Sequence, residues 1–148
     1  MADQQHGVGI ETWPDGSSYS GSYIAGKKHG DDCVFVWADH SRYEGQFRDN
    51  SIVGLGKYTW PDSRSYEGEW RDNMMHGQGV FKWPAQGGKI YKGEYRYDKK
   101  HGYGEISWPD GRRYAGQWAD GKQHGYGSYT NSKGETIKGE WEDGKKVK

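Results

Sequence analysis

Apolar and polar positions alternate along this chain in short runs, and the runs repeat. In the stretch 66–70, Tyr66, Gly68 and Trp70 share one parity, while Glu67 and Glu69 take the other. Side chains of a β-strand point to its two faces in turn, so this predicts a strand with an aromatic–glycine face and an acidic face. The stretch 77–83 behaves likewise, with Gly77, Gly79, Phe81 and Trp83 opposite Gln78, Val80 and Lys82. The two strands form a predicted β-hairpin. Its leading residue recurs at Tyr19, Tyr43, Tyr66, Tyr91, Tyr114 and Ile137, every 23–25 residues. A second phrase follows the first five at a fixed gap, as His29-Gly30, Val53-Gly54, His76-Gly77, His101-Gly102 and His124-Gly125. An extra copy, His6-Gly7-Val8-Gly9, precedes them. Such a period marks a tandem array rather than one globular core. No segment of useful length carries a helical period.

The turns have their own pattern. Seven residues after each leading position stand Gly26, Asn50, Asn73, Asp98, Gly121 and Gly144, the residue types that best tolerate left-handed backbone. Trp-Pro-Asp-Gly joins one hairpin to the next in the clearest copies, Trp13–Gly16 and Trp108–Gly111. All 4 prolines (Pro14, Pro61, Pro84, Pro109) directly follow a Trp, where a fixed φ suits the second turn position. Two departures predict irregular geometry. From His29 to Trp37 there is one residue more than in the other copies, which predicts a β-bulge over 30–33. Between Trp83 and Tyr91 the spacing is longer, which predicts an extended loop over 85–89. The resulting division is an unstructured leader at 1–5, the array at 6–144 and a basic tail at 145–148. The array begins with a second-half strand and ends with a first-half strand, Ile137–Trp141. Both are expected to be open edges able to pair with another copy.

Composition refines this picture. Only 31% of residues are hydrophobic and the mean hydropathy is −1.22, values that alone suggest disorder. The 8 Trp and 12 Tyr oppose that reading, because aromatic rings bury large areas with few aliphatic neighbours. The 25 glycines lie in phase with the repeat and act as structural punctuation. Formal charge is +0, so no global field draws the chain to nucleic acid or an anionic membrane. Cys33 stands alone, which excludes an intrachain disulfide, favours a reducing compartment and predicts a small strand residue. No secretory leader and no apolar run long enough to cross a bilayer is legible.

The stretch Tyr114–Gly127, reading Tyr-Ala-Gly-Gln-Trp-Ala-Asp-Gly-Lys-Gln-His-Gly-Tyr-Gly, resembles the MORN repeat (membrane occupation and recognition nexus), and the likeness extends over about 6–144. Departures are local: Val53 for His, Asp32 for Gly, Asn131 for Trp and Ile137 for Tyr. The resemblance implies a single elongated, twisted antiparallel sheet of tandem hairpins, open-ended, with a groove along one face. It also implies a non-catalytic adaptor or scaffold in the cytoplasm, associated with cytoskeletal or ciliary assemblies.

His6, His29, His76, His101 and His124 form a column. Hairpins stacked about 10 Å apart keep them from sharing an ion, so they are expected to bond to the neighbouring turn, and no cofactor or metal is expected. Nearly every Ser, His or Asp candidate for catalysis is a repeated copy, so nothing marks one unit as an active site. Glu44, Glu67, Glu69, Glu94 and Glu140 oppose a nucleic-acid-binding groove. The expected site is therefore a protein-binding groove of Tyr43, Phe47, Trp60, Tyr66, Trp70, Trp83, Tyr91, Tyr95, Trp108, Tyr114 and Trp118, taking a helix or extended peptide. Met74 and Met75, with Ile52 and Val53, break an otherwise lysine-lined edge and are expected to form an apolar contact patch. The alternative is a peripheral membrane adaptor that binds anionic phospholipid through Lys27, Lys28, Lys99, Lys100 and Lys122 in the hairpin turns.

Overall fold

The computed structural model describes residues 7–84 and 87–148. The expected leader at 1–5 and His6 lie outside the described residues, as do Ala85 and Gln86 of the expected long loop. Among the described residues there is no helix. The strands belong to a 14-stranded antiparallel sheet whose order follows the sequence. Contacts group the chain into two compact units, Met1–Met74 and Met75–Lys148.

The first unit contains β1 (Gly7–Thr12), β2 (Ser18–Ile24), β3 (Lys27–Lys28), β4 (Gly30–Val36), β5 (Arg42–Arg48), β6 (Ser51–Thr59) and β7 (Ser65–Arg71). β3 is a short side pairing with β2. The expected bulge is present, as the β4–β5 register shifts between Gly30 and Cys33. The second unit contains β8 (Met74–Trp83), β9 (Lys89–Arg96), β10 (Lys99–Ser107), β11 (Arg113–Ala119), β12 (Lys122–Thr130), β13 (Thr136–Glu142) and β14 (Lys145–Lys146). β14 corrects one expectation in part. The residues after Gly144 are not a tail clear of the sheet but return along the end of β13, covering Glu140–Glu142 of the expected edge. Trp141 faces Lys146, Val147 N–H donates to Glu140 O at 2.8 Å, and Glu140 N–H donates to Lys148 O at 3.0 Å. The residues at 145–148 thus satisfy backbone groups that a bare edge would leave to solvent.

One layer of tyrosines makes the core. Tyr19, Tyr43, Tyr66, Tyr91 and Tyr114 are each 0% exposed. Each hydroxyl donates to the carbonyl three residues on: Ser22 O at 2.7 Å, Gln46 O and Glu69 O at 2.9 Å, Glu94 O at 2.8 Å and Gln117 O at 3.0 Å. To reach that carbonyl the ring must lie flat across the intervening position of its own strand, which is why a glycine stands there. It also crosses a glycine of the paired strand. A Cβ at Gly56, Gly104 or Gly127 would overlap the ring of Tyr43, Tyr91 or Tyr114. Each tyrosine meets the aromatic four residues later edge-on, as in Tyr43–Phe47 (5.3 Å, 89°) and Tyr114–Trp118 (5.3 Å, 90°). Within each unit a tyrosine also meets that of the next hairpin, as in Tyr43–Trp70 (5.8 Å) and Tyr91–Trp118 (5.4 Å). Edge-to-face contacts contribute about 0.5–1.5 kcal/mol beyond burial. The ladder stabilises a sheet poor in aliphatic residues.

Cys33 is the exception in this glycine window. It faces Gly45 in the register, is buried, and its Sγ lies 3.1 Å from the Tyr19 hydroxyl. The bulge beside it accommodates the extra side chain.

A second irregularity, hidden because several copies share it, lies at the His-Gly phrase. Register shifts between Gly45 and Phe47, between Lys100 and Gly104, and between Gly116 and Trp118. Gly54, Gly102 and Gly125 have φ of 65°, 69° and 93°. The preceding strand fills the bulge: Gln46 Oε1 accepts from Leu55 N–H at 2.5 Å, and Glu94 Oε1 from Tyr103 N–H at 3.3 Å.

The turn residues are left-handed as expected, Asn50, Asn73 and Asp98 at φ 69°, 68° and 69° and Gly121 at 83°. Their neighbours Asp49, Asp72, Tyr97 and Asp120 are left-handed too, which gives the two-residue turn that matches strand twist. These turns stitch hairpin to hairpin. The N–H groups of Asn50, Asn73, Asp98 and Gly121 donate to Lys28 O, Ile52 O, Met75 O and Lys100 O at 2.9–3.0 Å. In return, Asn50, Asn73 and Asp98 Oδ1 accept from Lys28, Ile52 and Met75 N–H at 2.8 Å. Gly121 has no side chain to complete the exchange, and a Cβ there meets open space. Gly121→Asn would supply that bond, worth about 1 kcal/mol. At φ 83° even asparagine loses part of the gain to backbone strain, so a net stabilisation of about 0.5 kcal/mol is expected. Calorimetry should show the melting temperature rising by about 1–2 °C. A fall would mean that backbone strain at this position outweighs the hydrogen bond to Lys100 N–H.

Candidate functional site

Aromatic residues on the core face fall into two depths. Tyr43, Phe47, Tyr66, Trp70, Tyr91, Tyr95, Tyr114 and Trp118 are at most 7% exposed, with their rings against one another. Trp60, Trp83 and Trp108 are half-buried and keep ring surface toward solvent. Depth follows position along the strand. Near the hairpin turn each ring has a neighbour on both sides, whereas toward the Trp-Pro turn the layer opens.

The first unit shows the open part as a continuous run of half-buried rings. Trp13 stacks on Phe35 (5.7 Å), and tilted contacts join Phe35 to Trp37 (4.5 Å), Trp37 to Tyr58 (5.2 Å) and Tyr58 to Trp60 (4.6 Å). Trp13, Phe35, Trp37 and Tyr58 were not among the residues singled out from sequence. Strand parity could have found them, since Gly56, Tyr58 and Trp60 share a face. A depression of about 440 Å³ opens beside this run, lined by Lys28, Phe35, Trp37, Phe47, Asn50, Ile52, Tyr58 and Asn73.

Cations cap the open rings. Arg64 lies over Trp60 at 5.5 Å, Lys89 over Trp83 at 4.8 Å and Arg112 over Trp108 at 4.9 Å. Asp62 and Asp110 neutralise the two arginines at 2.8 Å. The same bonds, with the Arg64 and Arg112 backbone N–H first among them, hold both carboxyls below the usual carboxylate range.

The turn lysines also divide by strand parity. Lys27, Lys99 and Lys122 are exposed, while Lys28 and Lys100 are half-buried and turn onto the aromatic face. Lys28 Nζ sits 5.5 Å from the Trp13 ring centre, 5.6 Å from Tyr19 and 5.5 Å from Phe35. Lys100 Nζ sits 5.1 Å from Trp83, 5.5 Å from Tyr91 and 5.7 Å from Trp118. Burial, and then the Lys89 ammonium, hold the Lys100 amine below its ordinary value.

Ile52 and Met75 occupy the position equivalent to Lys28 and Lys100 and are 6% and 9% exposed. Of the apolar turn residues, Val53 and Met74 are half-buried and retain surface. The histidine column does not converge, and no group of metal-ligating residues occurs among the described residues. His76 Nδ1 accepts from Tyr97 N–H of the next turn at 3.3 Å, and the two rings meet at a tilt with centres 4.8 Å apart. His29 Nδ1 is buried without a partner. No helix among the described residues is long and apolar enough to cross a membrane.

A family model described as MORN repeat matches residues 1–18, 19–30, 43–63, 66–87, 91–112 and 114–136, more than half of the chain. Segments two to six begin at Tyr19, Tyr43, Tyr66, Tyr91 and Tyr114, the five tyrosines that are 0% exposed. No individual curated protein matches the chain.

Proposed function

The chain belongs to the MORN-repeat family, a non-catalytic interaction repeat, and from that premise we propose that it is a scaffold that captures a segment of a partner protein on its open aromatic layer. One observation carries this reading: the run of half-buried rings from Trp13 to Trp60 beside a depression of about 440 Å³. Rings already packed against neighbours lose little side-chain freedom on binding, which favours affinity. The buried tyrosines hold that layer in place, and Trp60, Trp83 and Trp108 carry contact in both units. Met74 and Val53 add apolar surface at the turn edge. A position within a cytoplasmic, cytoskeletal or ciliary assembly belongs to the same proposal. Imaging of the tagged chain in ciliated cells tests it, and a uniformly diffuse signal would remove it.

The direct test is selection of displayed random dodecapeptides on the immobilised protein. Saturable binders are expected, and Trp37→Ser, Trp60→Ser and Trp83→Ser combined, which remove open rings from both units, should abolish their capture while far-ultraviolet circular dichroism stays unchanged. Capture that survives the loss of all three rings overturns the site, and recovery of no saturable binder overturns the scaffold.

The exposed Lys27, Lys99 and Lys122 support a second reading, a membrane-surface adaptor, at about 1 kcal/mol per lysine near an anionic surface. Co-sedimentation with phosphatidylcholine vesicles containing phosphatidylserine or a phosphoinositide separates the two. Membrane docking predicts binding that falls with salt and disappears when these three lysines become Glu. Pelleting that ignores salt and charge reversal excludes it.

A further inference from the structure

Two ammonium groups converge on one indole in the second unit. Lys89 Nζ and Lys100 Nζ lie 4.8 Å and 5.1 Å from the centre of the Trp83 ring. The arginines on Trp60 and Trp108 each have an aspartate at 2.8 Å. Neither lysine has a carboxylate within ion-pair distance among the described residues. Two like charges held half-buried without a counter-ion are unfavourable unless something negative joins them.

We propose that the aromatic layer of the second unit takes an acidic segment of a partner protein, with a Glu or Asp carboxylate entering between Lys89 and Lys100 above Trp83. The proposal rests on the scaffold reading and gives its partner a chemistry. A carboxylate in that position accepts charge-assisted hydrogen bonds from both ammonium groups over an apolar floor, where such bonds exceed their strength in open water. Lys100 stands among Trp83, Tyr91 and Trp118, so a narrow side-chain carboxylate reaches it more readily than a headgroup in a bilayer plane. A bilayer meets the exposed Lys99 and Lys122 first. The second unit also carries more basic than acidic residues, and the first the reverse, which steers an acidic segment to the second unit.

The first unit repeats the arrangement with one lysine. Lys28 stands over Trp13, Tyr19 and Phe35 at a depression lined in part by Ile52 and Phe47. Lys28 also has no carboxylate partner among the described residues. The recognised segment should therefore place an acidic residue beside a bulky apolar one.

The selected dodecapeptides test this. Recovered sequences should be enriched in Asp or Glu adjacent to Leu, Phe or Trp. The tightest one, fluorescein-labelled and read by anisotropy, should bind Lys100→Met and Lys89→Met about tenfold more weakly, and Lys99→Met within about twofold of the parent. Changing the peptide's own Glu to Gln should give the same loss without touching the protein's fold. Binders without acidic residues, or an acidic peptide indifferent both to Lys100→Met and to its own Glu→Gln change, overturn the proposal and leave the aromatic scaffold standing. Failure to recover any saturable binder overturns the scaffold reading instead.

Discussion

Tyr91→Ala is expected to destabilise the second unit by about 3–5 kcal/mol, the range for deleting a buried aromatic side chain. Tyr91 is 0% exposed, and its ring contacts Tyr95 at 5.2 Å and Trp118 at 5.4 Å. In a repeat array each hairpin is stabilised mainly by its neighbours, so losing this ring removes contacts on both sides at once. Tyr91→Phe separates the ring from its hydroxyl. Phenylalanine keeps the packing but leaves Glu94 O, now bonded at 2.8 Å, without that donor, a loss of about 1–2 kcal/mol. Tyr103→Ala serves as the control, because Tyr103 is 59% exposed and should change stability by no more than about 0.5 kcal/mol. Urea unfolding followed by tryptophan fluorescence measures all three. If Phe proves as harmful as Ala, the hydroxyl bond rather than the ring ladder dominates the core.

Gly93→Ala should cost about 3 kcal/mol, at the upper end for overpacking. The reason is not backbone conformation, since Gly93 does not have a positive φ. A methyl group there would overlap the Gly104 Cα of the paired strand and lie 2.8 Å from both Tyr103 O and the Tyr91 hydroxyl. Two of those atoms are backbone and cannot rotate away. Gly9 shares its strand parity and faces Gly21, yet its nearest neighbour to an added Cβ is Tyr23 Cε2 at 3.7 Å, an ordinary contact. Gly9→Ala should therefore be neutral or slightly stabilising, since alanine loses less backbone freedom in a strand than glycine does. Thermal denaturation of the pair distinguishes the two explanations for the repeated glycines. Equal losses at both positions would mean that glycine is needed for the strand itself and not for the passage of the tyrosine ring.

These contrasts show which features were legible before folding was considered. The period, the hairpins, the face shared by Tyr66, Gly68 and Trp70, and the left-handed turn residues all follow from local rules. Strand parity and backbone sterics act within a few residues, so the chain displays them directly. The bulge over 30–33 was legible because one copy differed in length from the others. The bulges at Gly54, Gly102 and Gly125 were not, because a feature shared by copies of equal length leaves no contrast in an alignment of repeats.

Depth was beyond local reading. Parity places Tyr43 and Trp60 on one face, but it does not say that neighbouring hairpins enclose the first completely and leave the second half-exposed. The same limit applies to the lysine edge. Lys99 and Lys100 are adjacent, and only the register across the turn sends one to solvent and the other over Trp83, Tyr91 and Trp118. By itself, then, the sequence determined the repeating antiparallel hairpin architecture and the aromatic face, because both arise from spacing along a single chain. The tertiary structure decided which rings form the core, which keep surface toward solvent, and which cations stand without a counter-ion among the described residues. Those properties depend on how closely one hairpin stacks against the next, a distance that no spacing within a repeat contains.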